Sequence, residues 1–200
     1  MREALKDLQE SPIDRARLHT SSCLESLQSD VKRLSRDPWT DHVNSADYSG
    51  GWDVLPLRCL RRHRDAHPIL QAFAHESEDE WVDLPSMACT PAISAVVESL
   101  QCPVQSVRLM RLKPGAIIKP HRDHQLSLEY GLARLHMPIV MEDDVQFVCN
   151  HNPVPMKPGE LWYINVDKTH SVRNTGTTDR INLVIDCIAN DWLKNKVLKG

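Results

Sequence analysis

Two histidines and an aspartate carry the most specific chemical signal in this chain. His121 and Asp123 stand two apart in the segment PHRDH, residues 120–124, and His170 lies 47 residues beyond Asp123. In an extended strand, residues i and i+2 project from one face. An H-x-D pair would therefore present an imidazole and a carboxylate side by side. The third ligand must come from elsewhere in the same sheet system, and a rolled sheet returns His170 to the same mouth. Two histidines and one carboxylate on one face suit a non-haem Fe(II) ion, with positions left open for a bidentate cosubstrate and dioxygen. H-x-D alone is a weak signal; His170 and the arginine that follows it give the pattern its weight. His124 and His151 are spare histidines, and His19, His42, His63, His67 and His75 show no partner pattern.

Arg180 follows His170 by ten residues, across the turn-like NTGTTD, and opens the apolar segment RINLVID. A buried arginine there could grip a carboxylate through its planar fork, as the distal carboxylate of 2-oxoglutarate would require. Arg134 and His136 in RLHMPI alternate on one strand face and are candidates for the carboxylate nearer the metal. Arg58, in PLRC, could point into the mouth and bind a substrate carboxylate, or form a surface ion pair. Trp162 and Asn165 precede His170; the tryptophan would pack, and the asparagine would hold a ligand or a turn in place.

These residues need a scaffold, and the chain supplies it in two styles. Residues 20–36 place Leu24, Leu27, Val31 and Leu34 on one helix face, with a serine available as a cap. Residues 37–53 read as irregular, and 54–60 as a strand that Pro56 makes irregular or places at an edge. The acidic stretch 76–84 reads as an exposed loop, its part from Glu78 to Trp81 either a lid or merely solvated. Residues 90–100 return to helical spacing, with Pro91 in the first turn. Beyond residue 103 the segments VQSVRLMRL, AIIKPH, ARLHMPIVM, VQFVCN, GELWYIN, HSVRN and RINLVIDCI are short, β-prone and divided by turn residues. That pattern predicts an antiparallel sandwich or barrel. The expected whole is one domain over 1–200: helical and substrate-side elements in 1–102, and a β core with the metal site in 103–193.

Composition narrows the classes. Hydrophobic residues make up 41% and charged residues 26% of 200 residues, a globular balance. No apolar run approaches the ~18 residues of a membrane span. The start, MREALKDLQESPID, has no apolar stretch of a signal peptide, so the expected location is cytoplasmic. Six cysteines are widely spread without a CxxC pair, predicting free thiols, mostly buried, and no zinc ribbon or disulfide framework. A net charge of −3 and the lone basic run RCLRRHRDAH argue against a nucleic-acid partner.

The segments LKPGAIIKPHRDH, RLHMPIV and PGELWYINVDKTHSVRNTGTTDRINLVID, in that order and spacing, resemble the aspartyl/asparaginyl β-hydroxylase family of Fe(II)/2-oxoglutarate-dependent dioxygenases. The resemblance covers about residues 103–193, with GGWDVLPLR matching more loosely. It implies a mainly β, double-stranded β-helix (a cupin-like jelly roll) with N-terminal helices packed on it. It implies iron on His121 and His170, the distal carboxylate of 2-oxoglutarate on Arg180, further cosubstrate contacts from Arg134 and His136, and O2 as second cosubstrate. Two departures stand out. The animal enzymes of this family have glycine where this chain has Asp123, and serine where it has Met110. The carboxylate aligns the chain with bacterial members resembling proline cis-4-hydroxylase and favours a complete triad.

The expected activity is therefore hydroxylation of an unactivated C–H bond in a free amino acid or related small metabolite. Other readings are a residue within a peptide or a carrier-tethered intermediate, and a non-catalytic metal-binding cupin-like protein, for which Arg180 would have no use. Zinc hydrolysis through the same residues would lack an HExxH-type base.

Overall fold

The computed structural model describes residues 12–72 and 80–200. In chain order it contains β1 (Arg15–Leu18), α1 (Leu24–Arg33), β2 (Thr40–Asp41), β3 (Tyr48–Ser49), β4 (Trp52–Leu60), α2 (Pro68–Gln71), β5 (Trp81–Asp83), α3 (Pro85–Ala88) and α4 (Pro91–Glu98). The second half contributes β6 (Val104–Leu112), β7 (Ile117–His121), β8 (Leu132–Val140), β9 (Val145–Cys149), β10 (Asn152–Pro153), β11 (Leu161–Ile164), β12 (His170–Asn174), β13 (Arg180–Ile188) and α5 (Asp191–Leu198). An eight-stranded sheet in the order β1-β11-β8-β13-β6-β4-β2, with β5 also on β4, faces a five-stranded sheet in the order β10-β9-β12-β7-β3. All pairings are antiparallel. The architecture is a double-stranded β-helix with helices laid on the larger sheet.

Alternation along each long strand divides the core in two. Leu183 and Ile185 of β13, with Leu135 and Met137 of β8, pack outward beneath Leu27 and Val31 of α1, Ile93 of α4 and Leu193 of α5. The alternate positions turn inward, where Ile118, Phe147, Trp162, Ile164 and Val172 form a second cluster between the sheets. Polar residues in that inner register, among them Arg108, Arg134, His136, Arg180 and Asn182, are consequently gathered into the barrel.

The expected β segments form β6, β7, β8, β9, β11, β12 and β13. The N-terminal half holds more sheet than its helical reading implied. β4 pairs with β6 along most of its length, and β1 extends the larger sheet by pairing with β11. Pro56 sits at a register shift in β4, on the side that β2 and β5 leave uncovered, so its missing N–H breaks no ladder. The acidic stretch is not all loop: Trp81–Asp83 is β5, paired to β4. Glu78 lies outside the described residues, as do His75 and the first eleven residues. The terminal helix α5, capped by Asn190 accepting from Leu193 N at 3.0 Å, has no counterpart among the expected elements. All six cysteines are free thiols. No helix among the described residues is long and apolar enough to cross a membrane.

α4 starts without a side-chain cap of its own. Asp30, fully buried on α1, supplies one from a distance: its Oδ2 accepts from Ala92 N at 2.8 Å and Ile93 N at 2.9 Å. Replacing Asp30 with Ala leaves both N–H groups without an acceptor and is expected to cost about 2–3 kcal/mol. Urea unfolding checks this through a lower midpoint at unchanged m value; an unchanged midpoint would contradict it.

Candidate metal and cosubstrate site

His121 ends β7 and His170 begins β12, and the two residues are direct cross-strand partners. Their ring centroids lie 4.2 Å apart. The register between β7 and β12 shifts just after this pair, with one more residue on β7 than on β12. The resulting bulge contains Pro120, which has no N–H to lose, and bulges commonly re-aim a side chain beside a site. In each imidazole Nδ1 contacts a backbone carbonyl: Lys119 O at 2.8 Å for His121 and Lys168 O at 3.1 Å for His170. Donation from Nδ1–H leaves the lone pair on Nε2, the form a metal ligand needs. Burial, then the neighbouring His121, pushes His170 down to about 4, so it is neutral at physiological pH.

Asp123 reaches the pair by a different route from the one H-x-D spacing predicts. β7 stops at His121, and Asp123 sits in the loop that follows. Its N–H donates to Val166 O at 2.9 Å. Asp167 staples the same loop, accepting from Gln125 N at 3.0 Å on Oδ1, while Arg122 Nε donates to the Asp167 carbonyl at 2.5 Å. The carboxylate thus arrives by loop tethering rather than strand alternation. Asp123 Oδ1 lies 3.9 Å from His121 Nε2, and the ligand atoms of His121, Asp123 and His170 all lie within 4.8 Å of one another. These three would hold a metal ion, and the donor set of two imidazoles and one carboxylate fits Fe(II).

Behind Asp123 runs a chain of buried charges. Arg134 Nη1 donates to Asp123 Oδ2, Arg134 Nε to Asp186 Oδ1 at 2.6 Å, and Arg134 Nη2 to Asp186 Oδ2 at 3.0 Å. Arg108 Nη1 donates to Asp186 Oδ2 at 2.8 Å and to Ser106 Oγ at 2.8 Å. Burial alone would raise Asp186, but Arg108 and Arg134 hold it far below the usual carboxylate range. Burial would likewise raise Asp123, and Arg134, His170 and His121 hold it down. Both stay ionised. Arg134, expected at the cosubstrate, has its fork on Asp186 and its remaining arm on the Asp123 carboxylate.

Arg180 is the opposite case. It is 4% exposed, makes no ion pair among the described residues, and its Nε and Nη2 have no hydrogen-bond partner. Burial pushes it down only to about 10, so it is a cation at neutral pH. Its guanidinium carbon lies 5.9 Å from the Phe147 ring centroid, and that ring stacks near His170 at 6.1 Å and meets His136 edge-on at 5.5 Å. His136 is buried and neutral: burial, then Arg134 and Arg180, hold it well below its ordinary value. With Asn182 Nδ2 donating to its Nδ1 at 3.2 Å, the ring proton sits on Nε2, which has no partner. Two buried groups therefore offer unused donors in one cavity of about 260 Å³, which His121, Asp123 and His170 also line. Those donors are the chemical complement of a carboxylate.

The remaining expected residues fall elsewhere. Arg58 donates to Asp83 Oδ1 at 2.6 Å and to Trp81 O at 3.2 Å, and is absent from the cavity lining. The β4–β5 pairing captures it, so the ion-pair alternative describes it and the substrate-binding one does not. Trp162 packs in the inner cluster with its Nε1 on Glu160 at 3.1 Å. Asn165 is buried in the turn before His170, accepting from Lys168 N at 3.1 Å on its carbonyl. His42, Trp52, Phe147 and Asn182 line the cavity without having been singled out. His42 and Trp52 come from the irregular 37–53 stretch, where only the loose GGWDVLPLR match hinted at a role.

Removing the charge of Asp186 leaves Arg108 and Arg134 buried without their shared counterion. Asp186→Asn is expected to cost about 3–5 kcal/mol. Because the folded-state carboxyl is depressed, its contribution is complete above the unfolded value near ~3.9 and fades as pH falls below it. Urea unfolding at several pH values should show wild type losing stability on acidification more steeply than the variant; parallel curves would contradict the network.

The model of the family described as aspartyl/asparaginyl beta-hydroxylase matches residues 24–190. L-proline cis-4-hydroxylase of Rhizobium meliloti (strain 1021) is 26% identical over 171 residues, covering 82% of this chain. The chain spans only 59% of that relative's length. Among solved structures, an oxidoreductase of the 2OG-Fe(II) oxygenase family from Burkholderia pseudomallei aligns with a TM-score of 0.52 at 16% identity, covering 82% of this chain and 79% of that one. A viral collagen prolyl hydroxylase from Paramecium Bursaria Chlorella virus-1 aligns at 0.51 and 9% identity, covering 88% and 97%. These two likenesses concern the fold. With the family model covering most of the described residues, this chain belongs to the aspartyl/asparaginyl β-hydroxylase family.

Proposed function

We propose that the chain is an Fe(II)- and 2-oxoglutarate-dependent oxygenase that hydroxylates a C–H bond of a free amino acid or a related small metabolite. The observation that carries this reading is Arg180: a buried cation with two unused donors, in the cavity that His121, Asp123 and His170 also line. A protein that only stored or sensed a metal would have no use for it. When bound, the metal and cosubstrate together supply the oxidising chemistry that activates dioxygen.

The protein's own residues do the rest. His121 and His170 present Nε2 because lysine carbonyls hold their Nδ1 protons. Arg134 orients Asp123 and keeps it anionic. Arg180 and His136 would receive the distal carboxylate, and the Phe147 ring beside them excludes water from that end. A cavity of about 260 Å³ suits a cosubstrate and a small substrate, and the small amino acid named for the Rhizobium meliloti relative supports that scale.

The test is an anaerobic titration of 2-oxoglutarate into the Fe(II)-loaded protein, followed by air and a succinate assay against free amino acids and short peptides. Arg180→Met, which keeps the bulk and removes the charge, is expected to weaken 2-oxoglutarate binding about 100-fold, from loss of charge-assisted hydrogen bonds worth ~3 kcal/mol. Equal affinity in wild type and variant would refute Arg180 as the anchor. His121→Ala is expected to abolish Fe(II)-dependent cosubstrate binding with the circular dichroism spectrum unchanged; retained binding would place the metal elsewhere.

A further inference from the structure

The cavity continues past the metal-binding residues toward the segment 42–54, where His42, Asp47, Trp52, Val54 and Met110 form its wall. His42 lies flat on Trp52, with ring centroids 3.6 Å apart and planes 16° from parallel, and Tyr48 meets Trp52 edge-on at 5.5 Å. The segment is pinned in place. His42 N–H donates to Trp52 O at 2.8 Å, the Tyr48 hydroxyl to His42 O at 3.2 Å, and Lys119 Nζ to Ala46 O at 2.7 Å. Asp47 is therefore carried on a fixed loop, half-buried at the cavity wall.

The charges around the cavity are unevenly matched. Three arginines line it. Arg108 and Arg134 share Asp186, Arg134 also holds Asp123, and Arg180 is reserved for the cosubstrate anion. Each cationic side chain of the wall is thus assigned to an anion. Asp47 is the reverse: its carboxylate has no hydrogen bond or ion pair among the described residues. The aromatic stack and the apolar Val54 and Met110 line the same cavity. An unpaired carboxylate on a cavity wall attracts an ammonium group by charge. Burial, then Arg108 and Arg134, holds His42 down to about 4, so the ring adds no competing positive charge.

Building on the proposed oxygenase activity, we propose that the substrate carries a basic nitrogen, protonated at neutral pH, and that Asp47 with the His42–Trp52 stack forms the subsite that receives it. The carbon body of the substrate then lies against Val54 and Met110, toward the metal-binding residues. Asp47 sets specificity and takes no part in the oxidation itself.

The experiment uses the Fe(II)-loaded full chain with 2-oxoglutarate, and as probes a panel of free amino acids and simple amines, each beside its N-acetylated counterpart. Succinate release is expected to rise with at least one free amine and to fall about tenfold or more in kcat/KM on its N-acetylation. For that amine, Asp47→Asn is expected to raise KM about tenfold with a smaller change in kcat, with Asp47→Glu recovering part of the loss. The 2-oxoglutarate affinity of both variants should stay within about twofold of wild type. Stimulation that ignores N-acetylation, stimulation by no amine in the panel, or an unchanged KM in Asp47→Asn each overturns the subsite. Failure of the wild-type protein to bind 2-oxoglutarate at all overturns the oxygenase reading instead, and so separates the two failures.

Discussion

Asp186 has no exposure to solvent and lies between two guanidinium groups. Taking three charges out of water is costly, and their mutual attraction offsets that cost only when geometry and hydrogen bonding are nearly complete. Here they are: the Asp186 oxygens accept from Arg134 and Arg108, and Arg108 passes a further bond to Ser106. The network fixes where Arg134 stands, and Arg134 in turn fixes Asp123. The position of the Asp123 carboxylate on its loop is thereby decided by a residue toward the end of β13. An apolar triplet could stabilise the fold as well, but it could not hold that loop carboxylate ionised and aimed.

The same barrel builds the rest of the site by cross-strand register. β7 and β12 bring His121 opposite His170, and the bulge beside them turns the strand end into the loop that carries Asp123. On the facing sheet, the inward positions of β6, β8 and β13 line up Arg108, Arg134, His136, Arg180 and Asn182. Period-two alternation sends the intervening leucines and isoleucines to the helices. A slip of one residue in β13 would turn Arg180 away from the cavity and Leu183 into it. Hydrophobic patterning and site geometry are thus enforced by one constraint.

Much of this was legible from residue types and spacing. The strands from Val104 onward announced themselves through β-branched runs divided by turns, and the grouping of His121, Asp123 and His170 through H-x-D with a later histidine and arginine. What failed to show was whatever depended on tertiary context. Asp123 lies off the strand because of a bulge and the Asp167 staple, neither of which has a local signature. Arg58 left two readings open, a substrate carboxylate or a surface ion pair, because β5, which supplies Asp83, lies in an acidic stretch that reads as loop until it pairs with β4. Asp186 sat unnoticed within RINLVIDCI, since a charged residue in an apolar strand declares itself only once its partners are located. His42 and Asp47 lie in a segment with little periodic pattern, and their place at the cavity comes from β2 and β3 docking onto different sheets.

A metal at the His121–Asp123–His170 triad and a carboxylate at Arg180 are expected to belong to the same bound assembly. A crystal structure of the protein loaded anaerobically with Fe(II) and 2-oxoglutarate tests it most directly. The expected result is the metal on Nε2 of both histidines and on Asp123, with the distal carboxylate of 2-oxoglutarate on Arg180 Nε and Nη2. A metal bound by other residues, or a cosubstrate that leaves Arg180 without an anion, would contradict it.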